Sequence, residues 1–153
     1  MNHKISVKEE LLEHLISLLN NKIDELKITI ISAKESRNSD TKSSAGDKHE
    51  TGRAMMQIEL EKSEVQLDKT ITLKNQLSRI NVAKVCNTVE FGSLVSTNQG
   101  NYFFSIGIGK IEVNNETYYA ISLASPIGLL LQGKIVGDKA QFQEKEFIIS
   151  DIV

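Results

Sequence analysis

Residues 34–53 contain no Val, Ile, Leu, Met, Phe or Tyr. A stretch of twenty residues with nothing large and apolar cannot enter a core, so it must lie at a solvated end of the fold. Helical patterns flank it. Leu12, Ile16, Leu19, Ile23, Leu26, Ile30 and Ala33 alternate steps of four and three, the stripe of a long helix with a narrow seam. Ser6 and Glu9 have capping-box spacing at its start. Met56, Leu60, Leu67, Ile71 and Leu77 recur at helical spacing on the other side, and Ile80 closes the last turn. The spacing predicts an antiparallel two-helix coiled-coil hairpin over residues 1–80, its tip near 38–52, with Gly46 and Gly52 bracketing the turn.

After Asn81 the texture changes. All five Phe and all three Tyr lie at or beyond Phe91. Glycines from Gly92 onward punctuate short β-prone runs at 93–97, 102–106, 110–113, 117–122, 139–143 and 146–152. Asn114-Asn115 reads as a tight turn. Pro126 opens a short apolar run and suits the first turn of a short helix. The expectation is an α+β chain: the hairpin, a linker at 81–88, and a β domain with one short helix at 89–153.

Charged residues make up 25% and the net charge is −2, so nothing pushes the whole chain towards nucleic acid or an anionic membrane. No apolar run approaches the roughly 18–20 residues that span a bilayer, and the first residues lack a signal-peptide pattern. A single cysteine, Cys86, forms no internal disulfide, and a cytoplasmic location is expected.

The residues exclude several chemistries. Thiol catalysis at Cys86 needs a nearby base, yet His3, His14 and His49 all fall in the hairpin. Three scattered histidines and one cysteine make no zinc site. No Walker-type phosphate loop is present, and Gly107-Ile108-Gly109 reads as a turn or bulge. What remains is the carboxylate set of the tip: Asp40, Asp47 and Glu50, with Glu35 behind them.

Together the two halves resemble the Gre family of bacterial transcript-cleavage factors. Val89-Glu90-Phe91-Gly92-Ser93-Leu94-Val95 resembles the family's opening strand. Ser125-Pro126-Ile127-Gly128, Leu131, Gly133-Lys134 and Val136-Gly137-Asp138 resemble its Ser-Pro-x-(Gly/Ala)…Leu…Gly-Lys…Gly-Asp segment. At the tip, Gly46-Asp47-Lys48-His49-Glu50-Thr51 keeps the Gly, Asp and Glu of the family's Gly-Asp-x-x-Glu-Asn and replaces the Asn by Thr. A second alignment places Asp40 at the acidic position and lacks the Glu.

The resemblance implies an FKBP-like antiparallel C-terminal domain and a hairpin that enters the secondary channel of RNA polymerase. It implies that Ser125, Pro126 and Ile127 contact the polymerase. It also implies that Asp47 and Glu50, or Asp40, assist hydrolysis of backtracked RNA there. The free protein would be no enzyme and carry no cofactor; Mg²⁺ would be shared with the polymerase, whose two-metal chemistry a tip carboxylate can support. Arg37, Lys42, Lys48 and Arg53 are candidates for contact with the RNA 3′ end or channel acids, or for charge balance alone. Neither a membrane nor sequence-specific DNA is an expected partner.

Three other readings stand beside this one. They are a non-cleaving channel regulator in the mode of DksA, a prolyl-isomerase or peptide-binding FKBP-like module, and a coiled-coil oligomer with a solvated loop. The isomerase reading needs an aromatic-lined cleft. Trp is absent, and Tyr102, Phe103 and Phe104 are expected to alternate between core and surface.

Overall fold

Helix α1 spans Asn2–Asp40 and helix α2 spans Gly46–Leu77. The computed structural model describes the backbone of residues 2–40 and 46–153, and the side chains of residues 3–38 and 51–153. Most of the stretch without large apolar residues is therefore helical. Lys, Glu and Arg are good helix formers, so missing apolar residues report missing burial and not missing helix. Two sequence expectations are corrected. Gly52 lies inside α2 and brackets no turn, and Ser6 and Glu9 lie inside α1, which begins at Asn2.

The chain divides into two compact units, Met1–Ile16 with Gln76–Val153, and Ser17–Asn75. In the second unit Ile30, Ala33 and Leu60 form a small buried cluster, with Leu67 against it. On α1 the expected stripe holds from Leu19 to Ala33, but earlier in the helix Leu11 and Leu15 are buried where Leu12 and Ile16 were expected. Residues up to Ile16 group with the β domain, so a different face of the helix is covered there. On α2 the buried line runs through Leu60, Ser63, Thr70 and Leu77. Met56 and Ile71, expected in the seam, are exposed. Two hydroxyl residues took seam positions that an apolar pattern skips. Thr70 meets its own need by donating Oγ1 to Gln66 O at 2.7 Å.

Among the described residues six strands form one sheet. They are β1 (Leu94–Thr97), β2 (Gly100–Phe104), β3 (Gly109–Val113), β4 (Glu116–Ile121), β5 (Lys139–Phe142) and β6 (Lys145–Ile152), in the order β3-β4-β2-β1-β6-β5. The pairing is antiparallel except between β2 and β4, which run parallel. Asn114 and Asn115 form the β3–β4 turn at φ 53° and 65°, a left-handed backbone that Asn tolerates.

Helix covers part of the sheet. Helix α3 (Pro126–Leu131) closes a core of Val95, Tyr102, Phe104, Leu131, Phe147 and Ile149 on one side. The start of α1 meets the β domain through Lys4 to Asp151 and Glu10 to Asn114. Lys8 is fully buried and donates Nζ to Lys84 O at 3.0 Å and to Val153 O at 3.1 Å. Tyr102, Phe103 and Phe104 are all buried, against the expected alternation.

Candidate functional site

The hairpin end is built by the two helix termini. Because α2 begins at Gly46, Asp47 and Glu50 are its second and fifth residues, three positions apart. Asp40 is the last residue of α1. The side chains of Asp40, Asp47, Lys48 and Glu50, and Lys42 as a whole, lie outside the described residues. Arg37 is half-buried and donates Nη1 to Gln57 Oε1 at 2.9 Å; Gln57 Nε2 in turn donates to Glu61 Oε1 at 3.0 Å. That chain ties α1 to α2. Arg53 is exposed and lines a shallow hollow of about 390 Å³ with Arg37, Ala54 and Gln57. Two guanidinium groups thus edge the same surface, suited to an anionic partner.

Asp47 and Glu50 supply the hard oxygen donors Mg²⁺ takes, but two carboxylates are too few to hold it without help. Among the described residues no group of three or more His, Cys, Asp or Glu is placed to bind a metal.

The Ser125 turn is fully described. Ser125 caps α3: its Oγ accepts from Gly128 N–H at 3.0 Å and donates to Ser122 O at 2.7 Å. Pro126 follows at the first helical position, where its missing N–H costs nothing. Gly128 is buried so tightly that a Cβ there would lie 2.3 Å from Ser122 O. At the far end Gly133 takes φ +81°, the left-handed stop of a helix, and its N–H donates to Val89 O at 2.8 Å. Gly137 at φ +92° and Asp138, whose Oδ2 accepts from Ile135 N–H at 2.9 Å, close the next turn.

The residues of the Ser-Pro segment therefore act first as architecture, and what they expose follows from it. Pro126 is exposed and Ile127 half-buried against the core. Leu129, 66% exposed, sits three positions after Pro126 on the same short helix and extends that apolar edge. Sequence reading missed Leu129 because it lies in a run of three leucines, of which Leu131 is buried.

The Val89–Val95 segment, likened to the family's opening strand, reaches the strand expected at 93–97 through irregular backbone and a turn. Ser93 Oγ donates to Glu90 O at 2.7 Å, and the strand begins at Leu94. Lys84 Nζ sits 2.7 Å from Glu90 Oε1, and that hydrogen bond holds the carboxyl below its usual range. Cys86 is buried, and burial pushes its thiol up, which is the opposite of an activated nucleophile. Among the described residues no helix is long and apolar enough to cross a membrane.

No family model matches the chain, and no curated protein matches it. Among solved structures it is similar to one described as "Structure of the transcription factor Gfh1", at 20% identity over 92% of each chain with a TM-score of 0.33. A likeness of that size leaves the functional argument to the residues.

Proposed function

We propose that this chain is a Gre-type transcription factor that binds bacterial RNA polymerase in the cytoplasm. In this reading the hairpin end enters the secondary channel, and Pro126, Ile127 and Leu129 seat the β domain on the channel rim with Ser125 holding their turn. What supports the reading is the order of the elements: α1 ends at Asp40 and α2 begins at Gly46, so Asp47 and Glu50 fall within the first five residues of α2.

Asp47 and Glu50 would hold a Mg²⁺ that the polymerase alone holds weakly, with Asp40 as the alternative ligand. That metal supplies charge stabilisation for phosphodiester hydrolysis. The carboxylates act ionised, orienting water and metal, so the free chain is inactive and stimulates the polymerase's own hydrolysis. Arg37, Lys42, Lys48 and Arg53 supply positive charge for the RNA 3′ end or for channel acids.

The test is RNA shortening in a stalled, backtracked elongation complex with Mg²⁺. Wild type shortens the 3′ end, and Asp47→Ala/Glu50→Ala abolishes this while polymerase binding persists. A second reading, a channel regulator that does not cleave, draws on Lys48 and His49 standing between the acids and on Thr51 in place of Asn. Binding without shortening by wild type would select it.

A further inference from the structure

Helix α3 is too small for the sheet it covers. Six residues of helix reach about 9 Å, whereas six strands extend about 24 Å across. The uncovered part of that face is a cleft of about 340 Å³ within the β domain. Its floor is aromatic. Tyr102 stacks on Tyr119 with centroids 5.4 Å apart at 27°, and meets Phe147 at 6.1 Å. Tyr119 and Phe142 are half-buried and line the cleft.

The rim is polar in a particular way. Gln99, Gln143 and Lys145 are the polar residues that line it. Gln99 spends its Nε2 on Glu146 O at 3.2 Å and keeps its carbonyl oxygen as an acceptor. The nearby carboxylate of Glu146 lies by Lys139, at 3.9 Å, and among the described residues Lys145 has no acidic partner. Gln143 and Glu144 hold the β5–β6 turn at φ 49° and 64°, where Asn or Gly is usual. The turn thus keeps a costly backbone with Gln143 at the lip of the cleft.

Stacking rings, amides that read a hydrogen-bonding edge, and an unpaired cation are complementary to one compact ligand class. An apolar or proline side chain would use the rings and leave the amides and the ammonium idle. The geometry points to a nucleotide site on the β domain, taking a nucleoside 5′-phosphate. The base lies against Tyr119 and Phe142, its edge meets Gln99 and Gln143, and the phosphate meets Lys145. This site is independent of the polymerase reading, since it belongs to the free chain.

The experiment is calorimetric titration of the full chain with AMP, GMP, UMP, adenosine, inorganic phosphate, a four-nucleotide RNA and a short proline peptide. Amide shifts from ¹⁵N spectra locate the contacts. Expected are saturable nucleotide binding with shifts at residues 99, 119 and 143, and adenosine weaker than AMP by about fivefold. Lys145→Gln, an exposed change that leaves the fold intact, erases that advantage and leaves adenosine affinity alone. Phe142→Leu weakens AMP and adenosine together by about tenfold. Tetramer affinity equal to that of AMP identifies a free nucleotide as the ligand, and tighter binding identifies an RNA chain; either supports the site. No saturation by any nucleotide up to about 10 mM, equal AMP affinity in the Lys145 variant, or binding of the proline peptide alone would overturn it.

Discussion

The β domain and the helical hairpin bury apolar surface on different scales. Around α3 nine buried residues from loops, strands and helix form one cluster, with aromatic rings among them. In the hairpin unit the corresponding cluster is Ile30, Ala33 and Leu60. The rest of the α2 line is made by Ser63, Leu67 and Thr70, and Ile28, Ile31, Ile58 and Val65 stay more than half exposed. A two-helix seam offers each residue one neighbouring helix, whereas a covered sheet surrounds it. The hairpin should accordingly open more readily than the strands.

Substitutions can break that contrast. Phe104, fully buried between the sheet and α3, should carry the largest effect. Phe104→Ala is expected to cost about 3–5 kcal/mol, read as a lower urea midpoint for the β domain. Leu60→Ala removes the buried α2 side chain of the small hairpin cluster, but neighbours at a two-helix interface relax into the space. About 2–3 kcal/mol is expected, appearing in amide hydrogen exchange as faster opening within 17–75 with the strands unchanged. Equal losses of protection in both units would show that the two do not open separately.

A smaller change sharpens the comparison in the other direction. Thr70→Val places a methyl where a hydroxyl now bonds its own helix, and should slow exchange in the hairpin by about 0.5–1 kcal/mol. The same exchange measurement checks it, and a loss of protection would mean the Gln66 bond matters more than burial.

The smallest effect is a titration. Tyr118 donates to Glu116 Oε2 at 2.9 Å, and burial first, then this bond, pushes its phenol up to about 12. A raised folded value stabilises the neutral form, so the contribution is whole below about pH 10 and lost as pH rises towards 12. Tyrosinate absorbance should show Tyr118 ionising late, and Glu116→Gln should bring it down.

Much of this was readable in the residues, for identifiable reasons. The six strand positions and the short helix followed from β-prone runs between glycines and from Pro126, because turns and caps are local chemistry. The Ser125–Gly128 segment stood out as a motif. Its reason, a cap beside a glycine with no room for Cβ, needed the packed backbone. The hairpin was legible as two helices, but its seam was misread at Met56 and Ile71. A helical stripe has several nearly equivalent registers, and only the facing helix chooses among them. Arg37, a candidate for contact with RNA or channel acids or for charge balance alone, bonds Gln57, twenty residues away. The cleft was not legible at all, since Tyr102, Tyr119, Phe142 and Phe147 come from four different strands.

By itself the sequence determined what is decided within a few residues: helix content, the two left-handed Asn of the β3–β4 turn, the cap on α3, and where the apolar runs stop. Tertiary structure decided which face of each helix is covered, that β4 inserts beside β2 in parallel, and that one patch of aromatic surface stays open. Those outcomes rest on contacts between residues far apart in the chain, whose energies depend on which partner arrives and leave no periodic trace in either segment alone.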